Sequence, residues 1–182
     1  MRRRNIALAL AFMICMALLV MAFYSYASEF ESELDANRVE VAGYIRDFVI
    51  NTKDKRYKKA DEIAGVIVLA ANEFGVDYKA LSVILRCESA YQENVRDGVK
   101  GERGMGQFMR GGIAQGHARR LGIDLSGWQG QIRGAAAFYK KCFDECGDGF
   151  KALNMYVGGG CNKRYRGGVK RDRLVAQWPV AY

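Results

Sequence analysis

Glu88 is the residue whose position most suggests chemistry. It follows Leu81 by seven positions and Ile84 by four, so on a helix it projects from the apolar side. Carboxylates are seldom buried unless paired or functional. Burial disfavours the charged form and raises the carboxyl pKa, which keeps a glutamic acid protonated near neutral pH and fits it for general-acid work. A plainer reading has Glu88 turning to solvent at its helix end, or pairing with Arg86 or Arg96. The sole histidine, His117, has no cysteine or nucleophile near it in sequence and is read as non-catalytic. Cys87, Cys142, Cys146 and Cys161 form an even set with no CxxC pair, which favours disulfides over a zinc site. No metal or cofactor is expected.

The elements that must carry these residues are helical. A single proline, Pro179, sits four positions from the end, so the interior lacks helix breakers. Val41, Ile45, Phe48 and Val49 recur at helical spacing within the charged stretch 28–59, and the basic cluster from Lys53 to Lys59 reads as an exposed link or a basic helical start. Ile63, Ile67, Ala70, Ala71 and Phe74 mark a second helix, stopped by Gly75. Asp77 caps a third, running from Tyr78 to about Ala90 and bearing Glu88 near its end. A glycine-rich loop fills 94–116. A short helix comes next from His117 to Leu121, then a long one from Gln131 to Cys146, and a last one from Phe150 to about Val157, ending in Gly158-Gly159-Gly160. No strand-length alternation stands out. The fold class expected is all-α.

Cys142 and Cys146 lie on one face of the long helix, so each should point inward. One helical turn aligns their Cβ atoms poorly for a direct bond. Each then seeks Cys87 or Cys161, and two bridges are expected with the pairing open. The alternative joins Cys87 to Cys161.

The N-terminus sets the location. Arg2, Arg3 and Arg4 precede an uncharged apolar run from Ile6 to Phe23, and Ser25-Tyr26-Ala27 offers small residues to a signal peptidase. The 18-residue run also suffices to span a bilayer, so residues 1–27 are a signal peptide or an uncleaved anchor in an inner membrane. In both cases the chain beyond Ala27 is exported, to the periplasm or cell envelope. The net charge of +8 stays clearly positive without the leader's three arginines. An exported basic protein suits a polyanionic wall or a membrane surface, and nucleic acid is not expected as a partner.

Three stretches resemble one family in order and spacing. Ile84-Leu85-Arg86-Cys87-Glu88-Ser89 resembles the catalytic helix end of the lytic transglycosylases of the goose-lysozyme-like superfamily. Gly104-Met105-Gly106-Gln107, about sixteen residues after Glu88, resembles their Gly-Leu-Met-Gln motif, and Tyr156-Val157-Gly158-Gly159 their Tyr-Asn-Ala-Gly. The likeness extends over Ala60 to Tyr165. Gly106 stands where the family usually has methionine, and Val157 replaces its asparagine.

The resemblance implies a lysozyme-like domain over residues 60–182, acting on the MurNAc-GlcNAc β-1,4 bond of peptidoglycan glycan strands. In that family one glutamate protonates the glycosidic oxygen, then accepts the muramoyl C6 hydroxyl proton as a 1,6-anhydro ring closes. Glu88 takes that role. Ser89, Gln107 and Tyr156 become groups that orient sugar or carboxyl, while Met105 contributes backbone and packing. Trp128, Tyr91 and Tyr139 are candidates for stacking on sugars, and each serves equally well as core or rim. Enzymes working through two carboxylates need a second acid roughly 5–10 Å from the first. Glu93, Asp97 and Glu102 come next in sequence, in a polar loop that marks none of them as a nucleophile. The rivals are a goose-type lysozyme using water, and a non-catalytic wall-binding component of a secretion apparatus.

Overall fold

The computed structural model describes residues 2–93, 95, 101–162, 171 and 173–176, with side chains from Phe12 onward. Arg96, Asp97, Tyr165 and Pro179 lie outside them. The helices are α1 (Arg2–Phe48), α2 (Lys55–Lys58), α3 (Ala60–Phe74), α4 (Tyr78–Ser89), α5 (Ile113–Arg120), α6 (Trp128–Cys146) and α7 (Gly149–Tyr156), and residues 171 and 173–176 are helical as well. The strands are β1 (Glu102–Arg103) and β2 (Phe108–Met109), an antiparallel hairpin that pairs Glu102 with Met109 and Arg103 with Phe108. The protein is all-α, with one short hairpin where the sequence suggested only a loop. Two residues per strand are too few to show alternation.

The chain divides into two compact units, Met1–Asn37 and Arg38–Tyr182. In the first, α1 is long and apolar enough to cross a membrane. Its large side chains, including Phe12, Leu19, Met21 and Phe23, are exposed. The second unit holds the core. The end of α1 contributes Val41, Ala42 and Ile45, and Val49 follows just after it, all buried.

α6 is the central element of that unit and packs against α3, α4, α5 and α7. Ala135, Ala136 and Ala137 keep its surface low, so neighbouring helices approach closely. Gly130 and Gly134 do the same for the chain before it. A Cβ on Gly130 would lie 1.7 Å from the Asp124 carbonyl oxygen, and one on Gly134 2.6 Å from Leu125.

Helix ends follow local chemistry. The Asp77 carboxylate accepts from the Lys79 N–H at 2.9 Å and that of Asp148 from Lys151 at 3.0 Å, starting α4 and α7. Gly75 ends α3 in the left-handed conformation that glycine adopts without strain.

Candidate active site

α4 ends abruptly, and the ending fixes Glu88. Ala90 and Tyr91 both have positive φ, 53° and 60°, which is costly for residues with a Cβ. The side chain of Tyr91 holds this strained turn in place. It is fully buried, and its hydroxyl lies 2.8 Å from Ser82 Oγ and donates to the Ser82 carbonyl at 3.0 Å. Arg56 adds a bond from Nη1 to the Ala90 carbonyl at 2.9 Å. Upstream, Arg86 donates to the Tyr44 hydroxyl at 2.6 Å and lies over the Phe48 ring, anchoring α4 to the end of α1. Arg86 is therefore committed away from Glu88.

Glu88 faces a groove of about 900 Å³. α4, the hairpin, α6, α7 and Arg171 line it, and Glu102, Gln107, Phe138 and Tyr156 share it with Glu88. The Glu88 side chain keeps 19% of its exposure. Burial pushes its carboxyl above the usual glutamate value. The positive charge of Arg171 pulls it back in part, and the negative charge of Glu102 adds to the rise. Arg171 donates from Nη2 to Glu88 Oε1 at 2.5 Å. This partner lies 83 residues away, and nothing near Glu88 in sequence points to it.

Tyr156 ends α7. Its ring packs on Phe138 with centroids 5.3 Å apart, and its hydroxyl donates to the Gly106 carbonyl at 3.4 Å. Burial holds its phenol well above the ordinary tyrosine value, with the Glu88 charge adding to it, so it stays a neutral hydrogen-bonding group. The bond to Gly106 ties α7 to the hairpin turn.

That turn is built around glycines. Gly104 has φ +71°, and a Cβ there would fall 2.3 Å from Gln131 Oε1, which itself accepts from the Met105 N–H at 2.6 Å. At Gly106 a Cβ would meet the Phe108 ring at 2.5 Å. Phe108 therefore takes the space that a side chain at position 106 would fill. Gln107 lines the groove, but its amide nitrogen is used on the Gly104 carbonyl at 2.9 Å, a loop-stabilising bond.

The groove thus gathers Glu88, Gln107 and Tyr156, and adds Glu102 and Arg171. Ser89 and Met105 lie off its lining. Ser89 is buried, and its hydroxyl bonds back to the Leu85 carbonyl at 3.1 Å; Met105 is fully buried under the turn. Tyr91 and Tyr139 are core side chains, the second of the two roles their positions allowed. Trp128 is half-buried, with Lys59 Nζ 5.8 Å above its ring, and lies outside the groove. Glu93 pairs with Lys59 at 2.7 Å.

The cysteines meet the expectation in part: Cys146 pairs with one of its two expected partners, and the second bridge is absent. Cys146 and Cys161 are bridged, with Cα atoms 5.3 Å apart. Cys142 and Cys87 stay outside the bond, so the two-bridge scheme and the Cys87–Cys161 alternative are both wrong. Cys142 sits in the core beside Ile84, Phe138 and Leu153, where burial pushes its thiol up to about 12. Cys146 is the last residue of α6, past the packed part of the helix, and reaches the glycine loop after α7. One turn along the same face therefore separates a core thiol from a bridging one.

No protein-family model matches the chain, and a search of curated proteins finds no match. The functional reading rests on the groove and on the motifs that meet there.

Proposed function

We propose that this chain is an exported lytic transglycosylase that cleaves peptidoglycan glycan strands, with Glu88 as acid and then base on a lysozyme-like domain. The observation that carries the reading is the Glu88 carboxyl, desolvated and raised in pKa at the wall of an open groove. The protonated acid donates to the glycosidic oxygen as the C1–O bond to the leaving sugar breaks. The carboxylate left behind accepts the proton of the muramoyl C6 hydroxyl, whose oxygen closes on C1 to form the 1,6-anhydro ring. Glu88 ends as it began, protonated, and no water is consumed. Tyr156 presents a neutral hydroxyl beside the acid, and its ring with Phe138 excludes solvent from that wall.

The apolar N-terminal helix and the Cys146–Cys161 bridge support export, with the helix as signal or inner-membrane anchor. A goose-type hydrolase is the second reading, favoured by Glu102 in the same groove. A second carboxylate in the same groove is the group that activation of water calls for. Mass spectrometry of muropeptides released from purified sacculi separates the two. Anhydro ends are expected, whereas reducing ends would assign hydrolysis with Glu102 as base. A zymogram showing no clearing by wild type would assign a wall-binding role instead.

A further inference from the structure

Arg171 is a groove residue that the proposed mechanism does not use, and the inference drawn from it rests on the glycan-cleaving reading. Its side chain is 7% exposed, yet its buried Nε has no hydrogen-bond partner among the described residues. Nε and Nη2 form one edge of the guanidinium, two parallel donors spaced to fit both oxygens of a carboxylate. In two other arginine–carboxylate pairs of the protein this edge is fully used. Arg133 bonds Glu73 through Nε at 2.8 Å and Nη2 at 2.5 Å, and Arg56 bonds Asp54 through Nε at 2.9 Å and Nη2 at 2.6 Å. At Arg171 the edge is half filled, by Glu88 Oε1 on Nη2. A buried N–H left without an acceptor is unfavourable, so the edge favours a carboxylate that can take both donors. Lys141, the other cation of the groove among the described residues, is already held by Glu145. The Glu88–Arg171 contact also opposes the chemistry, because a guanidinium stabilises the carboxylate and a proton donor must be neutral.

We propose that Arg171 binds a carboxylate carried on the glycan's side chain through both Nε and Nη2, and that this exchange withdraws it from Glu88. The substrate anion replaces the Glu88 anion in the pair. Glu88 takes a proton from solvent, and the net charge of the groove is unchanged. Arg171 is thus a specificity-determining residue that couples substrate recognition to the state of the acid. The carboxylate has two sources: the muramoyl lactyl group where no peptide is attached, and the stem peptide where one is.

The test measures binding to the full-length Glu88→Gln protein, which leaves ligands intact. The ligands are chitin oligosaccharide, peptide-free MurNAc-GlcNAc oligomers with a lactyl carboxylate, the same oligomers as lactyl carboxamides, and peptide-bearing oligomers. At least one carboxylate-bearing oligomer should bind about tenfold tighter than the carboxamide, and the tighter of the two identifies the source. Arg171→Gln in that background should bring the ratio to about one, with Arg171→Lys intermediate. Wild-type protein should show the same preference in kcat/KM at neutral pH, and the preference should narrow in acid. There Glu88 is protonated whether or not Arg171 has moved, in the presence of Glu102, Lys141, Glu145 and Tyr156 around the same groove. Equal binding of carboxylate and carboxamide oligomers by the Glu88→Gln protein would overturn the proposal, and needs no Arg171 variant to fold. If wild type cleaves both forms equally, the Arg171 role fails while the glycan-cleaving function stands. If carboxylate preference persists in binding but no oligomer is cleaved, anion recognition stands and the catalytic reading fails.

Discussion

At the scale of single residues, one carboxyl sets the behaviour of the site. Glu88→Gln keeps the volume and removes the transferable proton. Glycan cleavage should fall below a tenth of wild type while far-UV circular dichroism is unchanged, and a more active variant would refute the assignment. The pH dependence follows from the raised pKa. The acid works only while protonated, so activity should fall as pH rises through a value above 4.5, and a flat rate from pH 5 to 9 would contradict a glutamic acid donor. The same shift has a stability consequence. A carboxyl whose folded pKa is raised binds its proton more tightly in the native state. It therefore contributes stability in full below the unfolded pKa and loses it as pH rises through the folded one. Glu88→Gln does not titrate there. The melting temperature of the variant minus that of wild type should increase with pH across that window, whatever offset comes from leaving Arg171 without its counter-ion.

At the scale of elements, the hairpin turn and the bridged loop hold the far wall of the groove. Gly104→Ala meets both a left-handed backbone and the Gln131 side chain. It should destabilise the protein by about 1–3 kcal/mol and lower cleavage, measured by thermal melting and zymography. The Cys146–Cys161 bridge closes a short loop across a sequence separation of 15. It joins the end of α6 to the glycine run after Tyr156, constraining the segment that includes Gly158 and Gly160 of the groove lining. Replacing both cysteines with serine should cost about 3 kcal/mol in urea unfolding. Non-reducing peptide mapping of the exported protein should recover the Cys146–Cys161 peptide pair, with Cys142 as a thiol.

At the scale of the whole molecule, the folded unit reaches back into α1. Val41, Ala42, Ile45 and Val49 are part of its core, and Arg86 leans on Tyr44 and Phe48. A chain beginning at Ser28 should therefore melt as cooperatively as the full protein. One beginning at Ala60 loses these side chains and should be destabilised by more than about 5 kcal/mol, read as a lower or absent thermal transition.

The sequence by itself determined α3, α4, α6 and α7, because apolar spacing, the Asp77 cap and the Gly75 stop are local signals acting over a few residues, whereas α5 begins at Ile113, inside the stretch expected as loop. It also placed Glu88 at the helix end facing inward, since periodicity alone sets that direction. What it left open depended on contacts between distant segments. Arg171 is one of many arginines until the fold brings it against Glu88, and Glu102 is one of three loop carboxylates until the hairpin turns it into the groove. Helical periodicity placed Cys142 and Cys146 on the same face. The depth of packing around α6 decided which of them met the core and which met Cys161. Local propensity acts along the chain, whereas ion pairs, disulfides and the lining of a groove require that separated segments first be packed together.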